Sequence, residues 1–388
     1  MRVLFTTAPL PGHLYPMVPL AWALRAAGHQ VLVAAPENFS ETVVATGLPA
    51  ATSAPPVAFE EFMLHDRDGR RLTPAADPAE RRRESGRAWG RLAARTLDGT
   101  LRLIETWRPD LLVCEPMEYA GQLAASAHGV PWIEPGLSLS DFSAPEGPRA
   151  SAVAELGPER AALGVPRLQD PALFLDVRPA ALRGPDPRAG LPMRYVPYNG
   201  PDVRPPWLDA PRSRPRICLT LGSMLPTHGR LDFPGRMAEL ARALTGLGAE
   251  VVVAVDDRVA EAWRPLPSGV VAAGRFALER GLTGCDLLIS HGGPGSVFAA
   301  LSLGVPQLCL PQTSDQFDNS LRLQEYGCGL RLLPGEASTE AVLERAEALL
   351  REAGYRERAS EVAAATAAMP APADVVAELA KAAAGRAG

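Results

Sequence analysis

The stretch Leu287–Asn319, LLISHGGPGSVFAALSLGVPQLCLPQTSDQFDN, constrains this chain more than any other. Leu287–Ser290 reads as a short apolar strand and Ser296–Leu303 as a helix, which leaves His291–Gly295 as the turn between them. Gly292, Gly293 and Gly295 let another group approach the backbone and permit positive φ. The helix behind them aims its unpaired N–H groups and positive dipole end at the turn, a place for an anion and above all a diphosphate. Tight strand-to-helix packing is the other reading of such a turn taken alone. A second short strand, Gln307–Leu310, then leads through a polar loop to Asp315, Gln316 and Asn319 at another helix start. One carboxylate and two amides suit the several hydroxyls of a sugar, so the unit reads as a site for a sugar carried on a diphosphate.

The rest of the chain repeats the strand and helix alternation. Val3–Thr7 reads as a buried strand, Met17–Ala27 as an amphipathic helix closed by Gly28, and Val31–Ala35 as the next strand. Strands follow at Asp110–Cys114 and Val130–Glu134 around a helix near Met117–Ala127, with a short one expected at Met193–Val196. Pro197–Arg214 is proline-rich and aperiodic, the composition of a linker. Beyond it strands are expected at Arg216–Leu221, Glu250–Val255, Val270–Ala272, Asp286–Ser290, Gln307–Leu310 and Leu330–Leu332, then an Ala-rich helical tail from about Ser338. The expected class is α/β, two Rossmann-like doubly wound parallel-sheet domains. Their expected limits are 1–200 and 215–365, with 201–214 as linker and 366–388 as a helical tail packing back on the first domain. Ligands of such sheets bind outside the carboxyl ends of the strands, where His13 and Glu115 fall.

Two segments carry less. Pro55–Ala79 mixes Pro, Asp and Arg with Phe59, Phe62 and Met63, and reads as a long irregular loop, either part of an acceptor pocket or a disordered excursion. Arg83, Arg87, Arg91 and Arg95 recur every four residues on a helix running towards Trp107, a stripe read as a solvated face.

A formal net charge of −5 gives no reason to expect a nucleic-acid partner. The five cysteines, Cys114, Cys218, Cys285, Cys309 and Cys328, lack metal-ligand spacing and read as reduced core residues. The first residues, MRVLFTTAPL, turn polar too soon for a signal peptide, and no apolar run reaches membrane-spanning length, so a cytoplasmic location is expected.

The ordered motifs HGG-x-G-S, GVPQL and P-Q-x-x-x-Q-x-x-N, within Arg216–Leu333, resemble the C-terminal half of the inverting GT-B glycosyltransferases, specifically the bacterial antibiotic type. The resemblance implies two domains facing across a cleft, an apolar natural-product aglycone in the first, and a nucleotide deoxysugar in the second. It implies a general base at the Gly-His position after the first strand, here His13, because imidazole is poised to take a proton near neutral pH. The family orients that ring with an Asp, and this chain has Glu115 there; Glu118, or no partner, remains open. Ser223, His291, Gly292, Gly293, Gly295 and Ser296 are the implied diphosphate contacts, with Gly222 beside Ser223, whose other reading is an ordinary strand-ending turn. Asp315, Gln316 and Asn319 are the implied sugar contacts, and Phe276 and Leu278 the implied nucleobase contacts. Phe59, Phe62, Met63 and Trp89 are the acceptor candidates. Relatives using UDP-sugars carry a Glu where this chain has Ala299, which points to a dTDP-sugar whose ribose lacks one hydroxyl.

No metal is expected, since neither Asp256-Asp257 nor Asp315 with Asp318 has Asp-x-Asp spacing. Expected partners are the nucleotide-sugar donor, which serves as co-substrate without a further cofactor, and the aglycone, with neither nucleic acid nor membrane; a homodimer or an auxiliary protein stays open. Three other readings also stay open: a C-glycosyltransferase acting on an aromatic polyketide, a sugar-nucleotide epimerase, and a non-catalytic homologue acting as a partner or activator.

Overall fold

Two parallel sheets carry the strand pattern. The computed structural model describes residues 1–73, 75, 77–142, 147–184, 188–222, 233–313 and 315–385. In the first half the strands are β1 (Arg2–Thr6), β2 (Gln30–Pro36), β3 (Ala50–Ala54), β4 (Leu111–Cys114), β5 (Trp132–Pro135), β6 (Leu173–Asp176) and β7 (Leu191–Pro192). In the second they are β8 (Arg216–Leu219), β9 (Glu250–Ala254), β10 (Val270–Gly274), β11 (Leu287–Ser290), β12 (Gln307–Cys309) and β13 (Gly329–Arg331). The sheet orders among the described residues are β3-β2-β1-β4-β5-β6-β7 and β10-β9-β8-β11-β12-β13.

Every ladder is parallel: Val3 pairs with Val31 on one side and Leu111 on the other, and Leu288 lies opposite Gln307. Such strands are covered on both faces, which is why Leu111–Cys114 and residues 287–289 are apolar throughout and fully buried. In each sheet the connections leave the first strand towards one edge and then return to its other side. Crevices therefore open past the carboxyl ends of β1 and β4, and of β8 and β11.

Several expectations need correction. Strands β3 and β6 were not anticipated: β3 is built from small residues (AATSA), and β6 lies inside a stretch punctuated by Pro and Gly. Met193–Val196 is not a strand. The seventh strand is the two-residue Leu191–Pro192, after which Met193 N–H donates to Asp176 O at 3.0 Å. The segment Pro55–Ala79 is not simply irregular, for Phe59–Leu64 is a helix; Pro74 and Ala76 lie outside the described residues. Buried Phe59 anchors that helix, Phe62 and Met63 pack on the same core, and Arg67 beyond it grips Glu155 and Glu159.

The helix Pro78–Trp107 starts at an Asp77 cap whose carboxylate accepts from the Ala79 and Glu80 N–H groups, and ends on left-handed Arg108. Its arginine stripe is not uniformly solvated. Arg83 and Arg87 pair with glutamates of their own helix and Arg95 is exposed, but Arg91 is buried and donates to Phe62 O through Nε and Nη2 at 3.1 and 2.7 Å. Periodicity alone could not show this, because the acceptor is the end of a helix that the sequence pattern had missed.

The C-terminal helix Val376–Ala384 places Val376 and Leu379 in a core cluster with Val3 and Phe5 of β1, and Arg194 holds the approach to it through Pro370 O and Ala367 O. That cluster also contains Val297, Phe298 and Leu301, and Tyr195 stacks on Phe298 with ring centroids 4.4 Å apart, so apolar contact joins the two halves. All five cysteines are free. Among the described residues no helix is long and apolar enough to cross a membrane.

Candidate active site

His13 sits in the single helical turn Pro11–Leu14 that follows β1, and Glu115 directly follows β4, which pairs with β1. Parallel pairing of the two strands brings their ends side by side, and His13 Nδ1 lies 2.9 Å from Glu115 Oε1. Glu115 is fully buried; its Oε1 also accepts from Ala8 N–H at 3.3 Å, and its Oε2 from Met117 N–H at 2.7 Å. A carboxylate can only accept, so Nδ1 carries the ring proton and Nε2 is left free to accept one. Burial disfavours the His13 cation, but the Glu115 charge and hydrogen bond, with a further contribution from the Asp315 charge, raise its pKa above 6.5. Glu118 does not compete for the ring. It caps the helix Tyr119–His128, accepting from Gly121 N–H at 2.8 Å, and burial pushes its carboxyl up to about 7.

Trp89 stands beside this ring, its centroid 5.0 Å from that of His13, and Phe59 lies 4.6 Å beyond it. Trp89, Met117 and Tyr119 line a small cavity next to the His13 loop with Thr7 and Pro9. Phe59 and Trp89 are buried walls, whereas Phe62 and Met63 are half-buried. The four acceptor candidates thus share one apolar cluster, and Trp89 is the one that reaches the His13 ring.

Across from them, β11 ends in the glycine turn. Gly292 has φ of +79°, the left-handed region, and its N–H donates to Ser290 Oγ at 3.1 Å. The His291 ring is clamped between two glycines: a Cβ on Gly222 would lie 2.6 Å from its Cε1, and one on Gly293 would overlap its Nε2. Burial pushes the His291 pKa down to about 4, so the ring is neutral, and among the described residues its Nδ1 is buried without a partner. Gly293 caps the helix Pro294–Leu303 and Pro294 has no N–H, so the unpaired donors at the helix start are Gly295 and Ser296. A Cβ on Gly295 would meet nothing within 4 Å, so the space outside that residue is open. These features suit a diphosphate, whose oxygens would take the Gly295 and Ser296 N–H groups. Ser223 lies outside the described residues.

The three expected sugar contacts differ. Asp315 Oδ2 accepts from Ser138 Oγ at 3.0 Å, and burial, opposed by that bond and by His13, pushes its carboxyl up to about 6. Gln316 Oε1 is taken by the N–H groups of Gln312 and Thr313 at 2.9 and 3.2 Å. Asn319 is fully buried: Nδ2 donates to Gly292 O at 3.0 Å, and Oδ1 accepts from Ser138 Oγ at 2.9 Å and Leu139 N–H at 3.1 Å. Of the three, Asn319 departs from expectation. It braces the glycine turn against the first domain because both ends of its amide are already engaged. Ser138 and Leu139, in the loop after β5, were not singled out in the sequence, where Leu-Ser-Leu-Ser has no distinguishing pattern.

Of the expected nucleobase contacts, Leu278 is buried and Phe276 half-buried. The Phe276 ring lies over Gly281, where any Cβ would overlap it, and 5.5 Å from the Trp207 ring at 73°. Leu278 and Ala299 belong to one core cluster with Cys218 and Val252, which gives the small side chain at Ala299 a packing reason of its own. Among the described residues no group of His, Cys, Asp and Glu has the arrangement of a metal site.

The chain matches the erythromycin biosynthesis protein CIII-like N-terminal domain over residues 22–222 and the C-terminal domain of that family over residues 238–382. It is 41% identical over 380 residues to the L-demethylnoviosyl transferase of Streptomyces niveus, covering 97% of each chain. The crystal structure of the Streptomyces sp. SF2575 glycosyltransferase SsfS6 complexed with thymidine diphosphate superposes with a TM-score of 0.87 at 38% identity, covering 98% of this chain and 99% of that one. The spinosyn rhamnosyltransferase SpnG complexed with spinosyn aglycone does so with a TM-score of 0.85 at 31% identity, covering 98% and 100%.

Proposed function

From a chain that belongs to the erythromycin biosynthesis protein CIII-like family of GT-B glycosyltransferases, we propose an enzyme that moves a deoxysugar from a dTDP-sugar onto an apolar, polyketide-like aglycone with inversion. The observation that carries the mechanism is the 2.9 Å contact of His13 Nδ1 with buried Glu115, which leaves Nε2 as the proton acceptor. In this reading Nε2 takes the acceptor hydroxyl proton as its oxygen attacks the anomeric carbon. The bond to the diphosphate breaks on the opposite face, and Glu115 stabilises the imidazolium that forms.

Charge appearing on the departing diphosphate falls to the Gly295 and Ser296 N–H groups and the dipole of the helix behind them. Asp315 takes the sugar hydroxyls. Trp89 and Phe59 hold the apolar face of the acceptor near His13. The thymidine diphosphate bound by SsfS6 and the aglycone bound by SpnG support the two classes of small molecule in this reading.

The test is His13→Ala. Transfer from dTDP-deoxysugars to aromatic and macrolide aglycones should fall roughly 10²- to 10⁴-fold, while dTDP affinity by titration calorimetry stays within about twofold. Turnover at the wild-type rate would remove His13 from the mechanism. Activity is expected to persist in EDTA, because the stabilising donors assigned here are backbone groups.

A further inference from the structure

The loop after β5 meets the start of the helix Asp315–Tyr326 through one hydroxyl with two claimants. Ser138, 2% exposed, points Oγ at Asp315 Oδ2 (3.0 Å) and at Asn319 Oδ1 (2.9 Å). Both are acceptors and the hydroxyl has one proton, so the two contacts divide it. Asn319 is the relay: the amide that competes for that proton also receives Leu139 N–H from the first domain and donates to Gly292 O in the diphosphate turn. One buried side chain thus fastens the acceptor side of the molecule to the donor side. Asp315, the other claimant, faces the cleft closely enough for its charge to act on His13. Burial pushes its carboxyl up to about 6 against the Ser138 bond, and Oδ2 also receives a longer contact from Asn319 Nδ2 at 3.4 Å.

We propose that Ser138 and Asn319 form a clasp that senses the donor sugar: a sugar hydroxyl donating to Asp315 releases the Ser138 proton to Asn319 and seals the Leu139 loop onto the diphosphate turn. This rests on Asp315 being the sugar contact of the transferase described above. Nucleotide diphosphate alone offers Asp315 no sugar hydroxyl, so only a sugar-bearing donor shifts the Ser138 proton to Asn319. Ser140, whose Oγ donates to Asp318 Oδ2 at 3.0 Å, extends the contact at the exposed end of the loop.

Asp315→Asn imitates the engaged state, since its amide would donate to Ser138 Oγ and leave the serine proton to Asn319. Residue-resolved hydrogen exchange at Leu139 is the readout. The variant should exchange roughly fivefold more slowly than wild type without any ligand. Adding Ser138→Ala should abolish that slowing, and Ser138→Thr should retain it. dTDP alone should slow exchange around Gly293–Ser296 and leave Leu139 as it was. Leu139 exchanging as fast in Asp315→Asn as in wild type would overturn the clasp, and would do so even if the double variant failed to fold. Failure of dTDP to bind the wild-type protein would instead overturn the transferase reading, leaving the Leu139 comparison to stand on its own.

Discussion

Two carboxylates act on His13, one from each half of the chain, and the pH at which the ring loses its proton depends on both. Burial opposes the cation, while Glu115 and then Asp315 favour it, with a net rise above 6.5. The proposed base works only when neutral, so kcat/KM should rise with pH along an acid limb lying above 6.5. Glu115→Gln removes the larger of the two favourable charges; the limb should move down, and kcat should fall about 10²-fold as the tautomer loses its anchor. An unmoved limb would take Glu115 out of that role. In the folding equilibrium, a raised His pKa adds stability that is complete below about pH 6.5 and fades as pH rises through the folded value. Asp315 is raised from 3.8 to about 6, so its ionised form is the disfavoured one, and the penalty accumulates as pH rises from about 4 to about 6. Asp315→Asn should therefore stabilise the protein at pH 7.5 by on the order of 1–3 kcal/mol and give little at pH 4, as denaturant titration at the two pH values would show.

At the scale of elements, two pieces lend themselves to paired variants. In the turn before the helix Pro294–Leu303, Gly293→Ala drives a methyl into the His291 ring and should cost roughly 1–3 kcal/mol of stability. Gly295→Ala meets open space, so stability should hold while dTDP affinity falls where the diphosphate would sit. Equal loss of stability in both would contradict this assignment of roles. On the helix Pro78–Trp107, Arg91→Ala leaves the Phe62 carbonyl without its donor and should cost about 1–3 kcal/mol. Exposed Arg95→Ala should stay within about 0.5 kcal/mol of wild type by the same denaturant titration.

For the molecule as a whole, the final helix is a brace. Leu379 is fully buried in a cluster that holds both β1 residues and Phe298 of the second half. Leu379→Ala should remove about 2–5 kcal/mol. Because the cluster spans the halves, the loss should appear as a single calorimetric transition moved to lower temperature. Two separated transitions would mean that the halves do not share that core.

Local pattern determined a good deal. Apolar runs bounded by Gly and Pro located β1, β2, β4 and β5 and the strands of the second sheet to within a residue or two, since a strand covered on both faces must be apolar along its length. The glycine turn and the helix behind it were legible for the same kind of reason, because φ at Gly292 and the unpaired donors at a helix start are local properties. His13 and Glu115 were found as a pair through the motif resemblance, and their 2.9 Å contact follows from parallel pairing of β1 with β4. Only the tertiary structure decided what depends on partners distant in the chain. It put Leu278 into the core with half-buried Phe276 packed against it, buried Arg91 beneath an unexpected helix, and engaged Asn319 between Gly292 and Leu139. A polar side chain has the same letter whether it faces a ligand or a backbone carbonyl, and burial, set by residues as far apart as Ser138 and Asn319, chooses between them.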